Sequence, residues 1–195
     1  VADVATDKRA LRERLRARRA GLSARVLAES AGALRDVLLA EAGIGEARTV
    51  AAYVSVGGEP GTGPLLDVLE ERGVETLLPV QLPDNDLDWA RYTGPVGLAP
   101  AGRGMLEPQA RRLGPDAVRR ASVVLVPALA VDRRGYRIGR GAGCYDRVLD
   151  RLVGTGIDTI ALLHDGEVLD LPVPREPHDR RVAAAATPSG LVRLR

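Results

Sequence analysis

Residues 49–80 read TVAAYVSVGGEPGTGPLLDVLEERGVETLLPV. The stretch starts as an apolar strand from Thr49 to Val56, breaks into the turn-rich GGEPGTGP, and resumes as a short helix from Leu65 to Glu71 that Gly73 ends. Val74 to Val80 is a strand again. Glycine supplies the left-handed residue that stops a helix, and strand, helix and strand within about 30 residues make a βαβ unit whose strands lie parallel. The rhythm continues with Ser122 to Val126, a helical pattern through Val148, Leu149 and Leu152, and strands at Ile157 to Leu163 and Val182 to Ala186. The unbroken apolar run SVVLV is what a parallel strand covered on both faces looks like. Upstream, Thr6 to Arg19 is helical, with Leu11 and Leu15 four residues apart; Gly21 interrupts it, and Ser23 caps a second helix. We therefore expect an α/β protein: a three-layer α/β/α sandwich with a mostly parallel sheet and an N-terminal helical pair, forming one domain over 1–195. Functional groups belong at the carboxyl ends of its strands. Pro83 to Tyr92 holds the only tryptophan, Trp89, in a polar setting and reads as a hairpin arm.

The length of 195 residues suits one domain, and 45% hydrophobic with 28% charged residues is a globular composition. No apolar run reaches the roughly 18 residues of a membrane helix. The opening VADVATDKRALRERLRARR lacks a secretory apolar stretch, so a cytoplasmic address is expected. A single cysteine, Cys144, excludes an internal disulfide and a four-thiolate zinc site, leaving oxygen ligands for any metal. The 28 basic and 26 acidic residues nearly cancel, at +2, yet Lys8 is the only lysine and Phe is absent. GC-rich coding accounts for such a skew without a nucleic-acid partner. It also makes Lys8 notable, because a compact mobile ammonium does what a planar guanidinium does not.

Chemistry concentrates in RIGRGAGCYD, Arg137 to Asp146. Alternating Gly139, Gly141 and Gly143 before a helix allow positive φ and close backbone approach, so that successive N–H groups form an anion nest. The helix N-terminus adds donors and partial positive charge. Arg137 and Arg140 add guanidinium forks suited to phosphate. The loop matches neither GxxxxGK[ST] nor GxGxxG. Asp146 is placed either to hold a divalent cation that bridges phosphate oxygens or simply to favour the helix dipole as a first-turn acid.

The longer segment VPALAVDRRGYRIGRGAGCYDRVL, together with KRALR at Lys8 to Arg12, YVSVGGEPGT, GMLEP and LPVPREPHDRRV, resembles the 5-formyltetrahydrofolate cyclo-ligase family in the same order along nearly the whole chain. The resemblance implies ATP binding by Lys8, Arg9, Ala10, Leu11 and Arg12 and by Arg137, Ile138, Gly139, Arg140, Gly141, Ala142, Gly143, Cys144 and Tyr145. Lys8, Arg140 and Tyr145 would have catalytic roles, and Asp146 and Asp179 would hold Mg2+. Arg12, Val54, Glu59 and residues Arg140, Gly141, Ala142, Gly143 and Cys144 would face the folate. It further implies a monomer acting on a small-molecule substrate, 5-formyltetrahydrofolate, with no nucleic-acid or membrane partner. The sequence departs from the family at Cys144, where an aromatic residue is usual, and at Val131 and Ala183, the last replacing an aspartate. Loosely aligned, Trp89 and Tyr92 would cover the pterin.

Two other readings stand beside this one. In the first helix Arg9, Arg12, Arg14, Arg16, Arg18 and Arg19 are interleaved with one acid, Glu13, which suits a polyanion binder, although the chain lacks stacking aromatics. A sugar-phosphate isomerase or acyltransferase on a similar scaffold would share the fold and lack the ATP loop.

Overall fold

A computed structural model describes residues 4–194. Along the chain run α1 (Val4–Ala20), α2 (Ala24–Glu41), β1 (Thr49–Ala51), α3 (Gly63–Glu71), β2 (Glu75–Gln81) and β3 (Leu87–Arg91). There follow β4 (Leu98–Pro100), β5 (Leu106–Pro108), β6 (Val123–Pro127), β7 (Ala130–Asp132), β8 (Arg137–Ile138) and α4 (Cys144–Arg151). The chain closes with β9 (Asp158–Leu162), β10 (Val168–Leu169), β11 (Ala184–Thr187) and β12 (Gly190–Arg193).

Seven strands form the main sheet in the order β12-β11-β9-β6-β1-β2-β3. The five inner strands are mutually parallel, and β3 and β12 close the edges as antiparallel partners of β2 and β11. Successive side chains point to opposite faces of a strand, and the two cores divide accordingly. Val50, Leu125, Ile160, Leu162 and Ala184 face Leu34 and Leu38 of α2 and Leu65 and Leu69 of α3. Ala51, Val124, Val126, Ala161 and Ala185 face Val148 and Leu149 of α4 and Leu152 just after it. This is the expected three-layer sandwich.

The N-terminal helical pair is present, and its members serve different layers. The hydroxyl of Ser23 accepts a hydrogen bond from the Val26 N–H at 3.3 Å and starts α2 on the main sheet. Helix α1 instead packs Leu15 against Leu129, Ala130, Ile138 and Val173, beside the small sheet β10-β7-β8.

Three local readings are corrected. Trp89 is fully buried, because residues 115–120 fold back as a 3-10 turn and bring Ala117 and Val118 into the same core. Tyr92 packs into the opposite core, so neither ring covers the cavity described below. The strand expected to run to Val56 ends its ladder at Ala51, which carries Tyr53 and Val54 up to the sheet rim. An edge hairpin, β11 to β12, was not foreseen.

Candidate active site

The chain leaves β1 for β2 on one side and returns later as β6 on the other. At such a reversal the loops leaving the two strands diverge, and a crevice opens at the carboxyl ends. Here it is a cavity of about 670 Å³, within the usual range for small-molecule sites. Its floor is Tyr53, Val54, Pro127 and Ala128 from the strand ends, and its walls come from α1, the glycine loop and the segment around Asp179.

Helix α1 is tied to that rim by its arginines. Arg19 donates to both carboxylate oxygens of Glu167 at 2.8 and 2.7 Å and to the Ala128 carbonyl at 2.7 Å. Both side chains of this pair are almost completely buried. Arg12 donates to the Gly139 carbonyl at 3.0 Å and Arg16 to the Arg140 carbonyl at 2.8 Å, so α1 holds the glycine loop by its backbone. Arg18 donates to the carbonyls of Asp165 and Gly166. Arg12, Arg16, Arg18 and Arg19 of the basic helix are thus each bonded to backbone or carboxylate groups of this protein, Arg16 and Arg18 while remaining exposed.

The glycine loop adopts the geometry its composition allows. Gly141 has φ 109° and Gly143 has φ 75°, and Gly143 precedes the first turn of α4. A Cβ at Gly139 would stand 2.6 Å from an Arg137 nitrogen, so a larger residue there would have to push that guanidinium aside. Arg137 there donates to Asp146 at 2.7 Å.

On the opposite wall Glu59 is buried, although its neighbours Gly58, Pro60 and Gly61 suggest an exposed turn. It accepts a hydrogen bond from the Val56 N–H at 2.9 Å, and Arg140 lies 3.5 Å from its other oxygen. Burial raises its pKa, opposed by the Val56 hydrogen bond and by Arg140 and Arg19. The hydroxyls of Tyr53 and Tyr145 are buried without hydrogen-bond partners among the described residues, and burial next to Glu59 raises both their pKa values. Burial also pushes the Cys144 thiol up, which makes it a packing group at the loop end.

Lys8, almost fully buried, donates to Asp179 at 2.6 Å and Glu176 at 2.7 Å. Burial alone would raise the pKa of Asp179; the hydrogen bonds from Lys8 and from the Glu176 backbone outweigh it and lower the value. Glu176, His178 and Asp179 bring three ligand atoms within 4.8 Å of one another. With Asp146 on the same cavity, the donors are mainly carboxylate oxygens, a set that suits a hard divalent cation.

Most of the residues expected from sequence therefore meet in one cavity: Lys8, Arg12, Val54, Glu59, the run from Arg137 to Asp146, and Asp179. Arg9 and Ala10 are solvent-exposed off its wall, and Leu11 packs against the small-sheet core. Arg16, Tyr53 and Glu176 are cavity residues the sequence reading missed. Glu176 was within reach of it, since it lies three residues before Asp179 in the same proline-rich segment.

The profile of the 5-formyltetrahydrofolate cyclo-ligase family matches residues 4–188. The chain is 47% identical over 154 residues to a protein of Mycolicibacterium smegmatis named 5-formyltetrahydrofolate cyclo-ligase, spanning 76% of this chain and 78% of that one. A protein of the same name from Escherichia coli is 30% identical over 145 residues, spanning 73% of this chain and 79% of its own. The NMR structure of Aquifex aeolicus 5,10-methenyltetrahydrofolate synthetase superposes with a TM-score of 0.81 at 27% identity, over 96% of this chain and 93% of the other. The Mycoplasma pneumoniae synthetase shares the fold, with a TM-score of 0.73 at 18% identity over 93% and 99% of the two chains.

Proposed function

The chain belongs to the 5-formyltetrahydrofolate cyclo-ligase family, and from that premise we propose that it converts 5-formyltetrahydrofolate to 5,10-methenyltetrahydrofolate with ATP and Mg2+, through a phosphorylated formyl intermediate. The observation that carries this reading is one cavity joining a positive-φ glycine loop and buried cations to the buried carboxylate of Glu59.

The chemistry requires that cavity to hold two ligands end to end. The formyl oxygen attacks the γ-phosphorus of ATP and ADP leaves. The neighbouring anilino nitrogen then closes on the activated carbon, inorganic phosphate departs and the nitrogen gives up its proton. An amide-like oxygen leaves poorly until it is phosphorylated. In such a transfer the protein mainly positions groups and neutralises charge. Lys8, Arg12, Arg137, Arg140 and the N–H groups of the loop are the neutralising set. Asp146 and Asp179 would hold Mg2+, which supplies further neutralisation of the phosphates. Glu59 suits the aminopyrimidinone edge of a pterin, whose adjacent N–H donors match a carboxylate's two oxygens. Tyr53 and Tyr145 line the cavity beside it. No Ser–His or Cys–His pair competes for the chemistry among the described residues: the ring of His164 is hydrogen-bonded to the Gly58 carbonyl at 3.0 Å.

Under this reading the enzyme is a cytoplasmic monomer with a small-molecule substrate and no nucleic-acid partner. Among the described residues, no helix is long and apolar enough to cross a membrane. The test is the growth of methenyltetrahydrofolate absorbance from 5-formyltetrahydrofolate, dependent on both ATP and Mg2+. Folded protein that gives no turnover overturns the reading.

A further inference from the structure

Each carboxylate expected to hold the metal is already paired with a cation expected to hold phosphate. Lys8 Nζ lies 2.6 Å from Asp179 and 2.7 Å from Glu176, and Arg137 lies 2.7 Å from Asp146. The Lys8 and Arg137 side chains are 6% and 5% exposed, against 10% for Asp179, 25% for Asp146 and 40% for Glu176, so water screens the Lys8–Asp179 bond least. An ammonium has three donors, and Lys8 has two of them on these carboxylates. Glu176 belongs to the cluster that could hold the cation, although the reaction above assigns it no step, and its own N–H donates to Asp179 at 2.6 Å, so the two acids face the ammonium as one unit. His178 flanks that unit, 3.9 Å from a carboxylate oxygen of each.

Resting on the reading of this cavity as a site for ATP and a divalent cation, we infer that Glu176 is a positioning residue. It keeps Lys8 on the metal-side carboxylates as a resident cation, and magnesium–ATP binds by exchanging partners with that ion pair. The ammonium passes to phosphate oxygens as the carboxylates pass to the metal. A divalent cation arriving alone must compete with an ammonium already bonded at short distance. A triphosphate arriving alone must pull the ammonium off two carboxylates. Arriving together, each releases the group the other needs, and linkage makes the advantage reciprocal. Lysine suits the exchange because its charge is compact and its stem rotates freely, so it changes partners without moving α1. The Arg137–Asp146 pair offers the same exchange on the loop side, with a fixed planar fork instead.

The test uses the full chain with ATP and Mn2+ as probes. Glu176→Gln removes one of the two carboxylates on Lys8. In calorimetry with a chelator present, ATP should bind this variant roughly ten-fold more tightly than wild type, and the tightening that Mg2+ gives should shrink by about the same factor. Glu176→Asp should restore wild-type behaviour. If Glu176 only shaped the proline-rich segment, both affinities would fall together or stay put, and either result overturns the proposal. Mn2+ titrated without nucleotide and read by electron paramagnetic resonance should bind Lys8→Met about ten-fold more tightly than wild type. The double variant Lys8→Met/Glu176→Gln should lose that gain. Unchanged Mn2+ affinity in Lys8→Met overturns the proposal. If wild type binds no ATP, the nucleotide reading fails, and the Mn2+ comparison still decides whether Lys8 occupies a cation's place.

Discussion

Glu59 and Arg140 approach to 3.5 Å across the cavity from unlike surroundings, the glutamate side chain being 8% exposed and the arginine 53%. Glu59 is fixed by the Val56 N–H, whereas Arg140 sits between two glycines on an exposed loop. One partner is a buried acceptor already fixed in place and the other an exposed cation. A ligand can therefore take Glu59 as it stands and recruit Arg140, which is the division of labour a two-ligand site needs.

Glu59→Gln keeps the volume and removes the charge. Folate binding should weaken by about 30-fold or more, the ratio expected when a buried charged partner is lost, while calorimetry should show ATP affinity unchanged. The same variant has a signature in stability. Burial raises the folded pKa of Glu59 above its unfolded value, so the folded state binds the proton more readily. Its contribution to stability falls as pH rises from the unfolded carboxylate range through the raised value. The Tm of the variant minus that of wild type should thus be larger at about pH 8 than at about pH 4. A difference independent of pH would show that the ionised carboxylate is fully compensated where it lies.

Arg140→Met tests the exposed partner. Because the side chain is half-exposed and its ion pair long, stability should change by no more than about 0.5 kcal/mol. Affinity for ATP and for folate should each fall by about ten-fold, since a charged hydrogen bond is worth roughly 1.5–3 kcal/mol. Retained affinity for both ligands would remove Arg140 from the site.

Arg19→Met should do the reverse. It strands the Glu167 carboxylate, whose side chain is 1% exposed, without its partner. Breaking a buried pair in this way costs about 3–5 kcal/mol, which for a chain of this size is a fall in Tm of about 6–20 °C. Arg19→Met with Glu167→Met should recover much of that loss, because a buried pair replaced by apolar groups is often near neutral. A melting temperature that stays low in the double variant would show that the hydrogen bond to the Ala128 carbonyl carries the stability.

What the sequence reveals and conceals here follows from how far each cause lies along the chain. The glycine loop is legible because Gly141 and Gly143 state their need for positive φ within three residues, although Gly139 beside them does not adopt it, and the parallel strands because both their faces are apolar. Trp89 misleads because its cover comes from residues 115–120, and nothing beside it in sequence announces that apolar turn. Glu59 looks solvated from its neighbours and is buried by α1 and the glycine loop, both far away in the chain. Composition marks Lys8 as unusual, whereas its partners Glu176 and Asp179 stand 168 and 171 residues away, beyond any local pattern. Arg9, Ala10 and Leu11 show the opposite effect: a contiguous motif includes them, and helical periodicity turns them off the cavity wall.

The loop offers a test in which backbone rather than charge is changed. Gly141 holds φ at 109°, which alanine adopts only under strain, and a Cβ there would stand 3.6 Å from the Arg12 guanidinium carbon, an ordinary contact. The cost of Gly141→Ala is therefore conformational, about 1–3 kcal/mol, and the exposed loop can escape it by rearranging. Escape aims the N–H groups elsewhere, so the penalty should appear as about a ten-fold loss of ATP affinity or more, with little change in Tm. Gly143→Ala, at φ 75° with open space around its Cβ, lies near the left-handed well and should cost only about 1 kcal/mol. Equal and small effects of the two substitutions on ATP binding would mean that the loop's N–H groups do not face the phosphates.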